Sequence, residues 1–393
     1  MKAYVRAEQV EFIPSGEPYF RRLITLIAEA QKTFHLQVYI FADDRTGTEV
    51  AEALRAAARR GVQVRVIVDG FGSSALPNAF VERMQADGVH FRFFKHWLSL
   101  KRWQGGRTLH QKVAVADARR ALIGGINIAD RYRGTPEEPA WLDLAVYIEG
   151  EVCRYLNDLC DDIFYHHYWK RRWPQRKDWT AWIAAVGKTA WLPPPPREGL
   201  VRFRLNDWLR RKSEVFYSYL HAIRDAKHSL TLIASYFLPG PAIRQRLERA
   251  VKRGVLVRLL LSGPSDVPLM KWAERYVAYD LIRKGVHVFL WQHSVMHGKA
   301  ILVDGQWASV GSFNLNPLSR FRSLEMNVDV ADPTFVRTLC DYIETLFEQY
   351  CVQITAERLP EFANFWTRLK AQLAYFVAVL LMRVLFASSR QLQ

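Results

Sequence analysis

The chain has 393 residues, 50% of them hydrophobic, enough length and apolar mass for two domains with cores of their own. Lys and Arg number 55 against 39 Asp and Glu, and the net charge of +16 favours an anionic partner, membrane lipid or nucleic acid, without choosing between them. The four cysteines, Cys153, Cys160, Cys340 and Cys351, include no Cys-x-x-Cys pair, which argues against a disulfide scaffold or a zinc site and leaves reduced thiols as the expected state.

Residues 1–10 are polar and lead directly into the first domain, so neither a signal peptide nor an N-terminal membrane helix is expected. Residues 23–30 and 34–41 read as helix and then strand. An amphipathic helix over 48–60, basic in its last turn, leads into an apolar strand over 61–68, and Gly88 opens another strand at 88–91. The same series returns at 219–226, 230–237, 243–253, 254–261 and 285–288. Alternating strands and helices argue for parallel sheet flanked by helices, and the matched series argues for a tandem duplication. The expected domains are 1–165 and 200–353, joined by a linker over 166–199 and followed by a tail over 354–393.

Three segments fall outside the repeat. Gly88 lies 22 residues before His110, whereas Gly285 lies only 12 before His297, so the first half carries an insertion within 95–107. Its Trp97, Leu98, Leu100 and Trp103 beside Lys95, Lys101, Arg102 and Arg107 suit a lipid headgroup region or an ordinary surface loop equally. The linker sets Trp169, Trp173, Trp179, Trp182 and Trp191 among basic residues, the composition of a bilayer interface or of an aromatic cluster between domains. Its prolines 193–196 mark an extended spacer. In the tail, Phe362, Phe365, Trp366, Leu369, Leu373, Phe376, Val377, Leu380, Leu381, Val384 and Leu385 share one helical face. Its apolar part is about 22 Å long as helix, short of the ~30 Å bilayer core, so the helix is expected to lie in the membrane interface; a groove of the protein or an oligomer contact are the alternatives.

The chemistry concentrates in two copies of one pattern. His110-Gln111-Lys112 is followed by Asp117, Gly124-Gly125 and Asn127; His297-Gly298-Lys299 is followed by Asp304, Gly311-Ser312 and Asn314. Each copy reads as a short buried strand, on which the His and Lys, two apart, share a face. Asp117 and Asp304 complete the motif, but their odd spacing and strand-end position make them structural groups that pin the turn. The glycines would let backbone approach a ligand. Two imidazoles, one neutral and nucleophilic and one protonated, with Lys and Asn donors for charged oxygens, are what displacement at a phosphodiester requires.

The stretches 61–72, 110–127, Tyr236-Phe237-Leu238-Pro239-Gly240 and 297–319 resemble the phospholipase D superfamily and, within it, bacterial cardiolipin synthases, above all their B type, over about residues 8–350. The resemblance implies tandem duplicated α/β domains, each a mixed, mainly parallel sheet flanked by helices, with a pseudo-twofold active site at their interface. It implies that His110 is the nucleophile and His297 the general acid and then base, although the pseudo-symmetry makes the roles exchangeable. It implies that Lys112, Lys299, Asn127 and Asn314 hold the phosphate, with a hydroxyl contact from Ser312 on one side only, because Gly125 stands in the other copy. Asp143 and Glu325 are the carboxylates that would orient the histidines, and neither metal nor cofactor is called for. The implied reaction joins two phosphatidylglycerols, phosphatidylethanolamine being compatible as donor, on the cytosolic face of the bacterial inner membrane. The implied partner is an anionic phospholipid membrane held peripherally, not nucleic acid. Rival readings are a phospholipase D hydrolase releasing phosphatidic acid, a superfamily nuclease, and a scaffold that has lost its activity.

Overall fold

The computed structural model of the chain describes residues 3–94, 108–165, 195–207, 212–355, 357 and 364–390. The insertion at 95–107 and the Trp-rich part of the linker, 166–194, lie outside the described residues.

Two mixed sheets carry the fold. The first runs Gln9–Pro14, Leu144–Glu149, Arg120–Gly124, Lys112–Ala116, Thr33–Val38, Gln63–Asp69, His90–Phe94. The second repeats this order with Leu200–Asp207, Ser323–Val330, Trp307–Gly311, Lys299–Val303, Ser229–Ala234, Leu256–Ser262 and His287–Trp291, and adds Cys351–Ile354 at its far edge. Parallel pairing is confined to the last three strands of each series; every other neighbour pair along these two series is antiparallel. The parallel share is thus smaller than the sequence predicts. Helices such as Arg45–Arg59 and Pro241–Lys252 carry the chain back between the parallel strands, but the motif strand and its successor have only a tight turn between them, which permits only an antiparallel hairpin.

That turn explains the motif aspartates. Asp117 and Asp304 both have φ 53°, in the left-handed region that Asp tolerates better than most residues. The Asp117 carboxylate accepts hydrogen bonds from the backbone N–H of Gln31, Lys32 and Thr33, at 2.9, 2.7 and 3.0 Å. Asp304 accepts them from Lys227, His228 and Ser229, at 3.0, 2.7 and 2.9 Å. Each aspartate therefore fastens the start of the neighbouring strand to the hairpin. It stands at the far end of the motif strand, about 20 Å from its histidine at ~3.3 Å per residue.

The first residues do not belong to the first half. Val5–Arg6 pairs antiparallel with Leu200–Asp207 in the second sheet. Tyr4 is buried under the Arg202 guanidinium, 4.1 Å from its ring, and its hydroxyl accepts from Trp307 Nε1 at 2.7 Å. Three cores result. Two lie on the outer faces of the sheets, and the third lies between the sheets, filled by the helices Cys153–Tyr165 and Pro333–Tyr350. The four cysteines are free thiols, Cys153 and Cys160 fully buried.

Because each motif aspartate satisfies three backbone donors, Asp117→Ala and Asp304→Ala should each destabilise the fold by about 1–3 kcal/mol. Denaturant unfolding measures this, and loss below about 0.5 kcal/mol would show that water replaces the carboxylate at little cost.

Candidate active site

The two halves meet strand to strand at the motifs. Thr108–Leu109 runs parallel to Ser323–Leu324 of the second sheet, and Leu142 bridges Met296. The backbone N–H of His110 donates to Leu324 O at 3.0 Å, and that of His297 donates to Leu142 O at 2.7 Å. The next residue on each accepting strand is a carboxylate. His110 Nδ1 lies 2.9 Å from Glu325 Oε2, and His297 Nδ1 lies 2.6 Å from Asp143 Oδ2. Each half therefore supplies the carboxylate for the other half's imidazole. A carboxylate on Nδ1–H fixes the tautomer and leaves Nε2 available.

The residue before each histidine is anchored by a group that the sequence reading gave no role. Leu109 N donates to Asp69 Oδ2 at 2.7 Å, and Met296 N donates to Ser262 Oγ at 2.9 Å. Asp69 and Ser262 end equivalent strands, Gln63–Asp69 and Leu256–Ser262, and burial pushes the Asp69 carboxyl up to about 6. Both lysines fold back along their strands: Lys112 Nζ donates to His110 O at 2.6 Å, and Lys299 Nζ donates to His297 O. Lys299 Nζ also lies 2.8 Å from His297 Nδ1, which Asp143 approaches as well. One nitrogen cannot accept from the lysine and donate to the carboxylate at once, so the proton on Nδ1 answers to both neighbours.

Burial dominates the electrostatics. It lowers both imidazoles, and the charges of Lys112 and Lys299 add to this at each; Glu325 partly offsets the effect at His110, and His297 is lowered further. Burial also takes Lys112 down to about 7 and Lys299 down to about 8. The two carboxylates diverge. Burial pushes Asp143 up to about 6. At Glu325 burial acts in the same direction, but His110, Lys112 and hydrogen bonding outweigh it and hold the carboxyl below its ordinary value. Glu325 accepts from Ser312 Oγ at 2.5 Å and from Ser319 Oγ at 2.7 Å, while Asp143 accepts from the adjacent Leu144 N at 2.8 Å.

These contacts give the surroundings of the other residues singled out in the sequence. Ser312 Oγ donates to Glu325, one of several contacts, after His110 and Lys112, that lower this carboxyl. Its counterpart must be glycine: a Cβ on Gly125 would stand 2.2 Å from Asp143 Oδ1. Gly124 and Gly311 admit a neighbouring strand rather than a ligand, since a Cβ there would meet Leu144 O at 2.3 Å and Met326 O at 2.2 Å. Asn127 accepts from Ile40 N at 3.0 Å and donates to the Tyr132 hydroxyl at 2.7 Å, which leaves one amide hydrogen for a ligand. Asn314 accepts from Ser235 Oγ at 2.8 Å.

Aromatic walls complete the site, and here the sequence reading missed most of the residues. The Tyr39 ring lies 4.9 Å from that of His110, with Lys112 Nζ 5.3 Å from its centre. Tyr132, Trp141 and Tyr236 surround His297 at 5.3, 6.2 and 6.1 Å. Arg131 stacks on Tyr132 and Trp141. Tyr236 has φ 50°, a strained value for an aromatic residue, and its hydroxyl donates to the Asp266 carboxylate at 2.8 Å. Only tertiary structure brings these side chains together; the one signal in the sequence was Tyr236, in the Tyr-Phe-Leu-Pro-Gly run.

The family model described as cardiolipin synthase, phospholipase D-like domain matches residues 23–142 and 219–350, once in each half. The chain belongs to this family. Cardiolipin synthase B of Escherichia coli (strain K12) is 30% identical over 374 residues, which cover 93% of this chain and 87% of that one. Cardiolipin synthase A of Pseudomonas syringae pv. syringae is 30% identical over 83% of this chain and 66% of its own. Among solved structures, phosphatidylserine synthase of Haemophilus influenzae superposes with a TM-score of 0.72 at 17% identity, over 97% of this chain and 96% of that one. That likeness is one of fold. The tandem phospholipase D-like architecture is thus established for this member of the cardiolipin synthase family.

Gly125→Ala tests the packing of the site. The added methyl should push Asp143 off His297, with loss of the downfield Nδ1 proton resonance of His297 in NMR spectra and retention of that of His110. Both resonances persisting would mean that Asp143 has room to give way.

Proposed function

We propose that the chain is a phosphatidyltransferase that makes cardiolipin, moving the phosphatidyl group of one phosphatidylglycerol to the headgroup hydroxyl of another. The observation that carries this reading is the crossed pair of imidazole–carboxylate couples in a chain of the cardiolipin synthase family. His110, neutral and oriented by an ionised Glu325, attacks phosphorus through Nε2. The bond from phosphorus to the glycerol oxygen breaks, and His297 gives that oxygen its proton. In the second half-reaction His297 takes the proton of the incoming hydroxyl, whose oxygen bonds to phosphorus and displaces His110. Lys112, Lys299 and the free amide hydrogens of Asn127 and Asn314 hold the phosphoryl oxygens as negative charge builds on them.

The unequal carboxylates support this division of labour. Glu325 accepts from Ser312 and Ser319 beside His110, which suits a partner of the nucleophile, whereas Asp143 faces a His297 that Lys299 also approaches, which suits a residue that gives and takes a proton. The substrates are membrane lipids, and we assign the chain to the cytosolic surface of the inner membrane as a peripheral protein. No described helix is long and apolar enough to cross a membrane.

Purified protein with phosphatidylglycerol vesicles in EDTA should yield cardiolipin and free glycerol, identified by mass spectrometry. His110→Ala and His297→Ala should each lower the rate on the order of 10⁴-fold. Phosphatidic acid in place of cardiolipin would make the chain a hydrolase; turnover that disappears with chelation would overturn the imidazole mechanism.

The pH profile follows from the same groups. With His297 protonated as the acid, the free enzyme also needs Asp143 ionised and both lysines charged; these three groups should make kcat/KM rise through about pH 6 and fall from about pH 7 to 8, and the lowered His297 brings the fall in earlier. A profile level from about pH 5 to 9 on a short-chain, monomeric phosphatidylglycerol would remove these three groups from the rate.

A further inference from the structure

The helix Phe365–Arg390 is mounted inside out. It packs on the helix Pro268–Arg283 through small side chains, Ala371 and Ala378, which are fully buried, with Ala374 and Tyr375 half-buried beside them. Tyr375 meets Tyr276 at 4.8 Å between ring centres, and Lys370 Nζ sits 4.2 Å over the ring of Trp272. The opposite face carries the large residues: Trp366, Leu373, Phe376 and Leu380 are 74%, 57%, 56% and 60% exposed. Phe365, Leu369, Val377 and Leu381 extend the same surface. Half of the large apolar side chains exposed among the described residues lie on this one helix. A helix of a water-bathed protein turns such residues inward and leaves its alanines where size matters less; a continuous exposed apolar stripe marks a surface that water does not cover in use.

We propose that this face seats on an anionic lipid bilayer, with the Trp366, Leu373, Phe376 and Leu380 side chains at the acyl boundary and Arg368 and Lys370 at the level of the phosphates. The proposal rests on the reading above in one respect, that the substrate is a membrane phospholipid. Charge selects the bilayer over a second copy of the chain. At +16 two copies repel each other, whereas an anionic surface attracts the protein and the two basic residues beside the stripe. Tryptophan next to Arg and Lys at the start of an apolar helix is the chemistry of the interfacial zone. Asn364 caps that start, its Oδ1 accepting from Thr367 N at 2.9 Å, so the helix is defined there before any lipid binds. The helix beneath it begins two residues after Asp266, which holds Tyr236 against His297. The membrane-facing helix and the reacting imidazole are therefore linked through the helix Pro268–Arg283, Asp266 and Tyr236 in turn.

The test uses the full chain and vesicles made of equal parts phosphatidylglycerol and phosphatidylcholine, or of phosphatidylcholine alone. Leu373→Ser, Phe376→Ser and Leu380→Ser combined leave the alanine face intact and should weaken sedimentation with anionic vesicles roughly 100-fold. Arg368→Glu, which spares the apolar stripe, should weaken it several-fold on anionic vesicles and leave the weak binding to phosphatidylcholine unchanged. Turnover of monomeric short-chain phosphatidylglycerol should survive in both variants while turnover of vesicle lipid falls. Undiminished vesicle binding by the triple variant overturns the proposal, and so does a change from dimer to monomer in sedimentation velocity with vesicle binding retained. If the unaltered protein turns over neither form of lipid, the functional reading fails, and vesicle binding still judges the helix by itself.

Discussion

Each motif imidazole in this protein is held by a carboxylate from the opposite half, and the rest of the architecture serves that exchange. Asp143 and Glu325 are completely buried, and a buried charge without its partner costs several kcal/mol. Drawing the halves apart would strand both carboxylates and unfasten the backbone of both histidines from Leu324 and Leu142. The domain interface and the site are consequently one object. The motif aspartates, the crowded glycines and the helices between the sheets act on it indirectly, by fixing where four strand ends meet.

Within this near-symmetric frame, one methylene separates the two couples. Glutamate reaches far enough from its strand to collect hydroxyl donors from Ser312 and Ser319. Aspartate, one carbon shorter, lies against the strand that bears Gly125 and relies on the adjacent backbone N–H of Leu144. The first arrangement stabilises a charge and the second leaves it marginal. Two copies of one motif in this way give their carboxylates different surroundings.

The sequence carried the duplication, the strand and helix series and the identity of both motifs, because those signals are local and occur twice. Strand parity placed His110 beside Lys112, and position alone read Asp117 and Asp304 as clamps of the turn. What could not be read was which neighbour each group would meet. That Asp143 serves His297 and Glu325 serves His110 depends on how the halves dock, which no spacing encodes. The same holds for Ser312, whose hydroxyl looked free for a ligand, and for Tyr39, Tyr132 and Trp141, which come to the site from separate elements. The parallel share of the sheets was overestimated because helix-borne crossovers are conspicuous in a sequence and tight hairpins are not.

The place of the N-terminal strand bears on how the protein is made. Val5 pairs with Val201, so once made this strand waits for about 200 further residues, on the order of 10–40 s at ordinary rates of synthesis. During that interval the first sheet can close, since its own edge is Gln9–Pro14, but Tyr4 has no Arg202 to lie beneath and no Trp307 to bond. A waiting strand of only two residues offers little template for pairing with other chains. Its late capture ties a strand that precedes the first sheet to the second sheet, so that assembly of the active site waits until both halves have been made.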